Sequence, residues 1–289
     1  MITDFTDYWI SLILMVINCK GKLLDLGSPV VMGILNVTPD SFFDGGKYVK
    51  EDEVLARVEK MLLEGASIID VGGASSRPGA EEVSAQEEVD RVVPVVASIH
   101  RAFPDAIISV DSWRAAVVES AVAGGASMVN DISGGRLDPE LGPLLSRLNC
   151  PYILMHMQGK PNTMQANPQY ENVVQEVLDF FIEKIAWLRS LGIKDVILDP
   201  GFGFGKTVEH NYDLLNNLHV FKAVLQLPVL AGISRKSMIC KPLKVNPSAA
   251  LNGTTALHMV ALQQGASILR VHDVNEAVEV VELWKLLGS

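Results

Sequence analysis

The 289-residue chain reads as an α/β protein: a single (β/α)8 barrel preceded by a short N-terminal extension and hairpin. Three observations predict this. Eight short, β-branched apolar runs alternate with amphipathic stretches from residue 30 onward, no linker or shift of composition separates them, and each run ends in polar residues. Continuous apolar runs belong to strands buried on both faces, as parallel sheets require. Eight strand–helix units in unbroken succession suggest a closed barrel, with a doubly wound sheet as the alternative.

The elements follow in order. Residues 8–17, YWISLILMVI, are the longest apolar run, and the preceding MITDFTD carries two Asp and no Lys or Arg. A secretory signal wants basic residues there, and ten residues are too few to span a bilayer. Residues 1–14 are therefore read as an extension, with Met15 a possible native start and 15–289 as the barrel. MVINCKGKLLDL reads as a hairpin leading into the first barrel strand. The eight runs are 30–37, 67–72, 106–111, 127–132, 151–157, 195–200, 227–234 and 267–273. The clearest helix lies in 171–190, where Val174, Val177, Phe181, Ile185 and Leu188 recur at three- and four-residue steps.

Composition narrows the function. With 48% hydrophobic and 20% charged residues, the chain is neither disordered, collagen-like nor a polytopic membrane protein. A net charge of −10 argues against a sequence-independent grip on nucleic acid. Cys19, Cys150 and Cys240 form neither a disulfide framework nor a zinc pattern, which favours a reducing compartment, the cytoplasm.

The strand ends carry the chemistry: Asn36, Asp70, Asp111, Asn130 with Asp131, His156, Asp199, Ser234 with Lys236, and Arg270 with His272. A single Asp at such a position is ordinarily a helix N-cap. Eight polar ends on one rim match the place where barrel enzymes build their sites. Arg270 and His272 share one side of their strand, because side chains alternate, and together they suit an anionic leaving group. His272 alone would read equally well as a core histidine or as an anion ligand.

PGFGFGKT (200–207) has neither P-loop nor GxGxxG spacing, and reads as a tight loop bringing backbone and the Phe204 ring to a flat ligand. The loops NVTPDSFFDGG (36–46), with Phe42 and Phe43, and GGASSRPGAEE (72–82), with Arg77, are rich in turn residues. His100, His210, His219 and His258 are read as structural or surface residues, and Trp113, Trp187 and Trp284 as helix packing. His156 lacks a partner at zinc-ligand spacing, and no nucleophilic triad is evident.

Taken together, GILNVTPDSFFDGG, DVGGASSRPGA, SVDSWR, VNDISGG, LMHMQG, LDPGFGFGK, GISRKSM and RVHDV resemble, in order, the signature segments of the dihydropteroate synthase family over roughly residues 17–287. The resemblance implies a homodimeric barrel that condenses 6-hydroxymethyl-7,8-dihydropterin pyrophosphate with 4-aminobenzoate, releasing pyrophosphate, with sulfonamides as competitive ligands. Carried over by residue, the pterin pocket falls on Asp111, Asn130, Asp199 and Lys236, walled by Ile132, Met155, Phe204 and Gly232. The pyrophosphate site falls on Asn36, Arg77, Arg270 and His272, with Mg²⁺ on Asn36 and Asp44. The aminobenzoate side falls on Phe42, Ser76, Pro78, Phe204, Lys236 and Ser237. The residues implied to act in catalysis are Asp111, Lys236, Arg270 and His272.

Three positions depart from the family pattern. Ala74 and Ser76 stand where Glu and Thr are usual, and Trp113 stands where a small polar residue is commoner. None removes an assigned catalytic group, so altered sulfonamide sensitivity with retained turnover is expected. Two other readings are a pterin-dependent methyltransferase and a non-catalytic pterin-binding barrel. The first has no need of the TPDSF loop or the Arg270/His272 pair, and the second requires broken catalytic positions.

Overall fold

The computed structural model describes residues 15–37, 43–44, 48–74, 83–159 and 163–288. Strands β1 (Val16–Cys19) and β2 (Lys22–Asp25) form the predicted antiparallel hairpin. After β3 (Val30–Asn36) comes a small antiparallel pair, β4 (Phe43–Asp44) and β5 (Tyr48–Val49), in the first loop. The chain then runs α1 (Glu51–Leu63), β6 (Ile68–Gly72), α2 (Ala85–Ala102), β7 (Ile107–Asp111), α3 (Ala115–Ala123), β8 (Met128–Asp131) and α4 (Leu141–Leu148). It continues through β9 (Tyr152–Met155), α5 (Val173–Ser190), β10 (Val196–Asp199), α6 (Val208–Asn216), α7 (Leu218–Leu225) and β11 (Leu230–Ala231). The last elements are α8 (Ser237–Leu243), α9 (Leu251–Gln263), β12 (Ile268–Val271) and α10 (Val274–Leu286).

Eight strands pair in parallel in the order β10-β9-β8-β7-β6-β3-β12-β11. A parallel bridge from Leu198 to Val229, with the Leu198 amide donating to the Pro228 carbonyl at 2.9 Å, brings β10 and β11 together at the remaining seam. Each barrel strand lies inside a predicted run. The seventh is much shorter than its run, with Gly232–Ser234 past the strand end.

The two-residue period of a strand explains the barrel's interior. Each barrel strand gives one residue to a buried layer at the bottom: Met32, Ile68, Ile107, Met128, Ile153, Ile197, Leu230 and Ile268. Ile17, Cys19, Leu24 and Leu26 of the hairpin join that layer, so the hairpin plugs the end opposite the site. Two residues further along the strands stand Ile34, Asp70, Ser109, Asn130, Met155, Asp199, Gly232 and Arg270. Two further again stand Asn36, Gly72, Asp111, Ile132, Met157, Gly201, Ser234 and His272. The apolar floor thus gives way to a polar mouth at the carboxyl ends, the functional end of this fold. The alternate positions, among them Val31, Leu35, Ile69, Val71, Ile108, Val110, Leu154, Leu198 and Leu269, face out and form the larger core with the helices.

Candidate active site

Arg270 is the hub of the mouth. Its Nε donates to Asp70 Oδ2 and its Nη2 to Asp111 Oδ2, each at 2.6 Å. Asn130 Nδ2 donates to the same Asp70 oxygen at 3.1 Å. Asp70 is fully buried, and its Oδ1 has no hydrogen-bond partner among the described residues. The sequence places Asp70 among the polar strand ends without a part in any binding set, yet it anchors Arg270 and Asn130. Asp70 stands two residues beyond Ile68 on β6 and so shares its inward alternation, which is the signal in the sequence that points to it. Burial pushes the Asp111 carboxyl up to about 7, Arg270 pulls the other way, and Asp70 and Glu88 add to the rise. The Asp111 charge is therefore costly where it is buried, and a further positive charge beside it would favour the ionised form.

Beside this cluster lies the slot predicted for a flat ligand. Asp199 Oδ1 accepts the Gly201 amide at 2.8 Å, and burial raises its carboxyl while Lys236 lowers it. Lys236 Nζ donates to the Phe202 carbonyl at 2.5 Å and lies 4.7 Å from the centre of the Phe204 ring. Burial brings the Lys236 amine down to about 8, with Asp199 opposing. A Cβ at Gly232 would come to 3.8 Å from Lys236 Nζ and 3.9 Å from Asp199 Oδ2, so glycine keeps the space between those groups open. Ile132 and Met155 form the apolar wall with Met157 and Met164, and Phe204, Leu137 and Trp113 pack against them. This corrects the reading of Trp113 as helix packing: it lies in the β7–α3 connection, at the mouth.

The loop after β11 is aimed by Arg235, which takes φ +56° and turns away from Lys236. Its guanidinium grips Asp273 through two 2.7 Å bonds and donates to the carbonyls of Pro247 and Ser248. Lys236 thus heads into the mouth, and His272 is held next to Asp273. His272 Nδ1 hydrogen-bonds Ser234 Oγ at 3.1 Å, and Arg57 donates to the His272 carbonyl at 3.0 Å. Asn36 and Ser237 are exposed. Phe42, Ser76, Arg77 and Pro78 lie outside the described residues, as does the Asp44 side chain.

Two strand-end residues do not join the site. Asp131 faces outward from β8, accepting the Tyr152 hydroxyl at 2.6 Å and the amides of Ser133 and Gly135 at 2.7 Å. It shapes the loop that presents Ile132. His156 also turns out of the mouth, where its Nδ1 meets the buried Lys206 Nζ at 2.9 Å. Burial, Lys206 and Arg136 together drive His156 far down, so its imidazole is neutral. Lys206 is held further by the Phe204 carbonyl at 3.1 Å, bracing the glycine-rich loop against β9.

A parallel barrel with carboxylates, a lysine and an aromatic ring around a slot, and an arginine and histidine beside it, defines a barrel enzyme for a flat heterocycle bearing an anionic group. Residues 32–272 match the pterin binding enzyme family, and the chain belongs to it. It is 49% identical over 277 residues to a dihydropteroate synthase of Haemophilus influenzae, covering 95% of this chain and 100% of that one. A Yersinia pestis dihydropteroate synthase solved with a sulfonamide drug superposes with a TM-score of 0.89 at 44% identity, covering 94% of this chain and 99% of that one. The Xanthomonas albilineans dihydropteroate synthase in complex with 7,8-dihydropteroate gives a TM-score of 0.84 at 37% identity, over 95% and 99% of the two chains.

Proposed function

We infer that this chain is a transferase of folate biosynthesis that joins 6-hydroxymethyl-7,8-dihydropterin pyrophosphate to 4-aminobenzoate, giving 7,8-dihydropteroate and pyrophosphate. The observation that carries the reading is the adjacency of the Asp199–Lys236 slot to the Asp111–Arg270 cluster. The relatives with 7,8-dihydropteroate and with a sulfonamide drug support the same assignment.

The residues divide the reaction between them. Asp199 and Asn130 meet the amino-pyrimidine edge of the pterin, Lys236 donates to its ring carbonyl, and Ile132, Met155 and Phe204 enclose the ring. Unpaired polar groups in the slot would reject a ring lacking that pattern. Arg270, His272 and Arg77 receive the pyrophosphate. The bond from the exocyclic carbon to the pyrophosphate oxygen breaks with its electrons leaving on oxygen. The resulting cation is conjugated to the ring and faces the Asp111 carboxyl, which Arg270 already orients at 2.6 Å and whose ionised form would stabilise it. The aniline nitrogen then forms the C–N bond and loses its proton to solvent, so no strong general base is required. Asn36 and Asp44 are the oxygen donors assigned to Mg²⁺, and Asn36 stands exposed at the end of β3. A hard cation held by few protein oxygens suits that donor set, and it would neutralise phosphate charge.

The aminobenzoate side is assigned to Phe42, Ser76, Pro78, Phe204, Lys236 and Ser237, where sulfonamides would compete. We assign a homodimer in the cytoplasm. Three cysteines free of disulfides support the compartment, and no described helix is long and apolar enough to cross a membrane. The test is pyrophosphate release from the pterin pyrophosphate with Mg²⁺, with and without 4-aminobenzoate. Release that requires aminobenzoate is expected; tight pterin binding with no release would overturn the assignment.

A further inference from the structure

Trp113 takes no part in the reaction as derived so far, yet the fold delivers it to the slot. β7 points Ile107, Ser109 and Asp111 inward, and Trp113 is the next residue of that alternation, two past the strand end. Its indole packs against the cluster of Ile132, Met155, Met157 and Met164, to which the predicted pterin walls belong. The cluster members are buried, whereas Trp113 is half-buried.

The ring is also held by a neighbouring cation. The Arg114 guanidinium lies 4.9 Å from the indole centre, the geometry of a cation–π contact. Arg114 is fixed by Glu88, which is fully buried, through an ion pair of 2.5 Å, and it donates to the Val83 carbonyl at 2.7 Å. Its backbone amide donates to Ser112 Oγ at 3.2 Å, which sets the turn carrying Trp113. An aromatic held in this way at the lip of the slot adds a π-face to that of Phe204, where Ile132 and Met155 offer none. An electron-poor bicyclic ring gains from offset stacking on such a face beyond the area it buries.

We propose that Trp113 is a specificity-determining residue of this site, its indole forming the outer aromatic wall against which the pterin ring packs. The inference rests on the function proposed above and adds to it a residue selecting for a planar bicyclic substrate.

The test is titration calorimetry of the full chain with 6-hydroxymethyl-7,8-dihydropterin pyrophosphate and Mg²⁺, alongside steady-state KM values for both substrates. Trp113→Ala is expected to weaken pterin binding by about 3- to 10-fold, the worth of one aromatic pair, with the KM for 4-aminobenzoate within about twofold of wild type. Trp113→Phe should restore the affinity. Trp113→Leu, which keeps a sizeable apolar side chain at the position and so guards against a folding defect in the alanine variant, should behave like Trp113→Ala. Full affinity in Trp113→Leu, or a KM change confined to 4-aminobenzoate, would overturn the proposal. Failure of the wild-type chain to bind the pterin pyrophosphate at all would instead overturn the proposed function.

Discussion

Arg270 and Asp111 are in direct contact, with 2.6 Å between guanidinium and carboxylate. The group assigned to the departing anion is therefore paired, before substrate arrives, with the group assigned to the developing cation. Substrate ionisation would replace one internal ion pair by two better-matched pairs: pyrophosphate with Arg270, and the pterin cation with Asp111. Charges already oriented need no reorganisation as the bond breaks.

Asp111→Asn should lower turnover by on the order of 10²-fold or more, with pterin affinity reduced far less. Unchanged turnover would remove Asp111 from the reaction.

The same carboxylate gives a pH signature. Its pKa is raised to about 7 by burial, and the ionised form is the working one. Activity should be present above that value and fall as pH drops through it, tenfold per unit on the acid side. The limb should vanish in Asp111→Asn. An acid limb that survives the substitution belongs to another group.

Asp70 aims Arg270 without touching substrate. Asp70→Asn removes the charge that orients the guanidinium, and hydrogen bonds to charged groups are worth about 1.5–3 kcal/mol. The KM for pterin pyrophosphate should rise roughly 10-fold or more while the affinity for unphosphorylated 6-hydroxymethyl-7,8-dihydropterin changes little. Equal weakening of both ligands would point to general damage of the mouth.

Lys236→Met separates recognition from stability. Burial lowers the Lys236 amine, so the folded state holds that proton less tightly than the unfolded chain does, and the charge costs stability at neutral pH. Pterin affinity should drop about 10-fold or more, with the melting temperature unchanged or raised. A lower melting temperature with normal affinity would make Lys236 a structural residue.

Ser76→Thr tests the loop-two departure, at a residue outside those described. The inhibition constant of a sulfonamide should change more than the KM for pterin pyrophosphate. Equal inhibition constants in the two proteins would leave the position without a role in discrimination.

Most of the barrel was legible because its strands are continuous β-branched runs and its helices amphipathic. Alternation alone placed Arg270 and His272 on one side, and the structure keeps both on the inward set. Asp131 and His156 misled because a polar residue at a strand end looks the same on either face. Which way it points depends on distant partners, Tyr152 for one and Lys206 for the other. The seventh strand is shorter than its run: the ladder ends at Ala231, and the chain turns through the left-handed Arg235 before α8. Trp113 was missed because a tryptophan ahead of an alanine-rich helix resembles helix packing, and only tertiary packing against Met155 and Ile132 tells otherwise.

The most direct test of the central claim, ionisation of the pterin pyrophosphate between Asp111 and Arg270, is positional isotope exchange. Substrate carrying ¹⁸O in the bridging position would be incubated with enzyme and Mg²⁺ in the absence of 4-aminobenzoate, then recovered. Scrambling of the label into non-bridging phosphate oxygens, strongly reduced in Asp111→Asn, is the predicted result. Recovery of unscrambled substrate from an enzyme that turns over normally once aminobenzoate is added would contradict it.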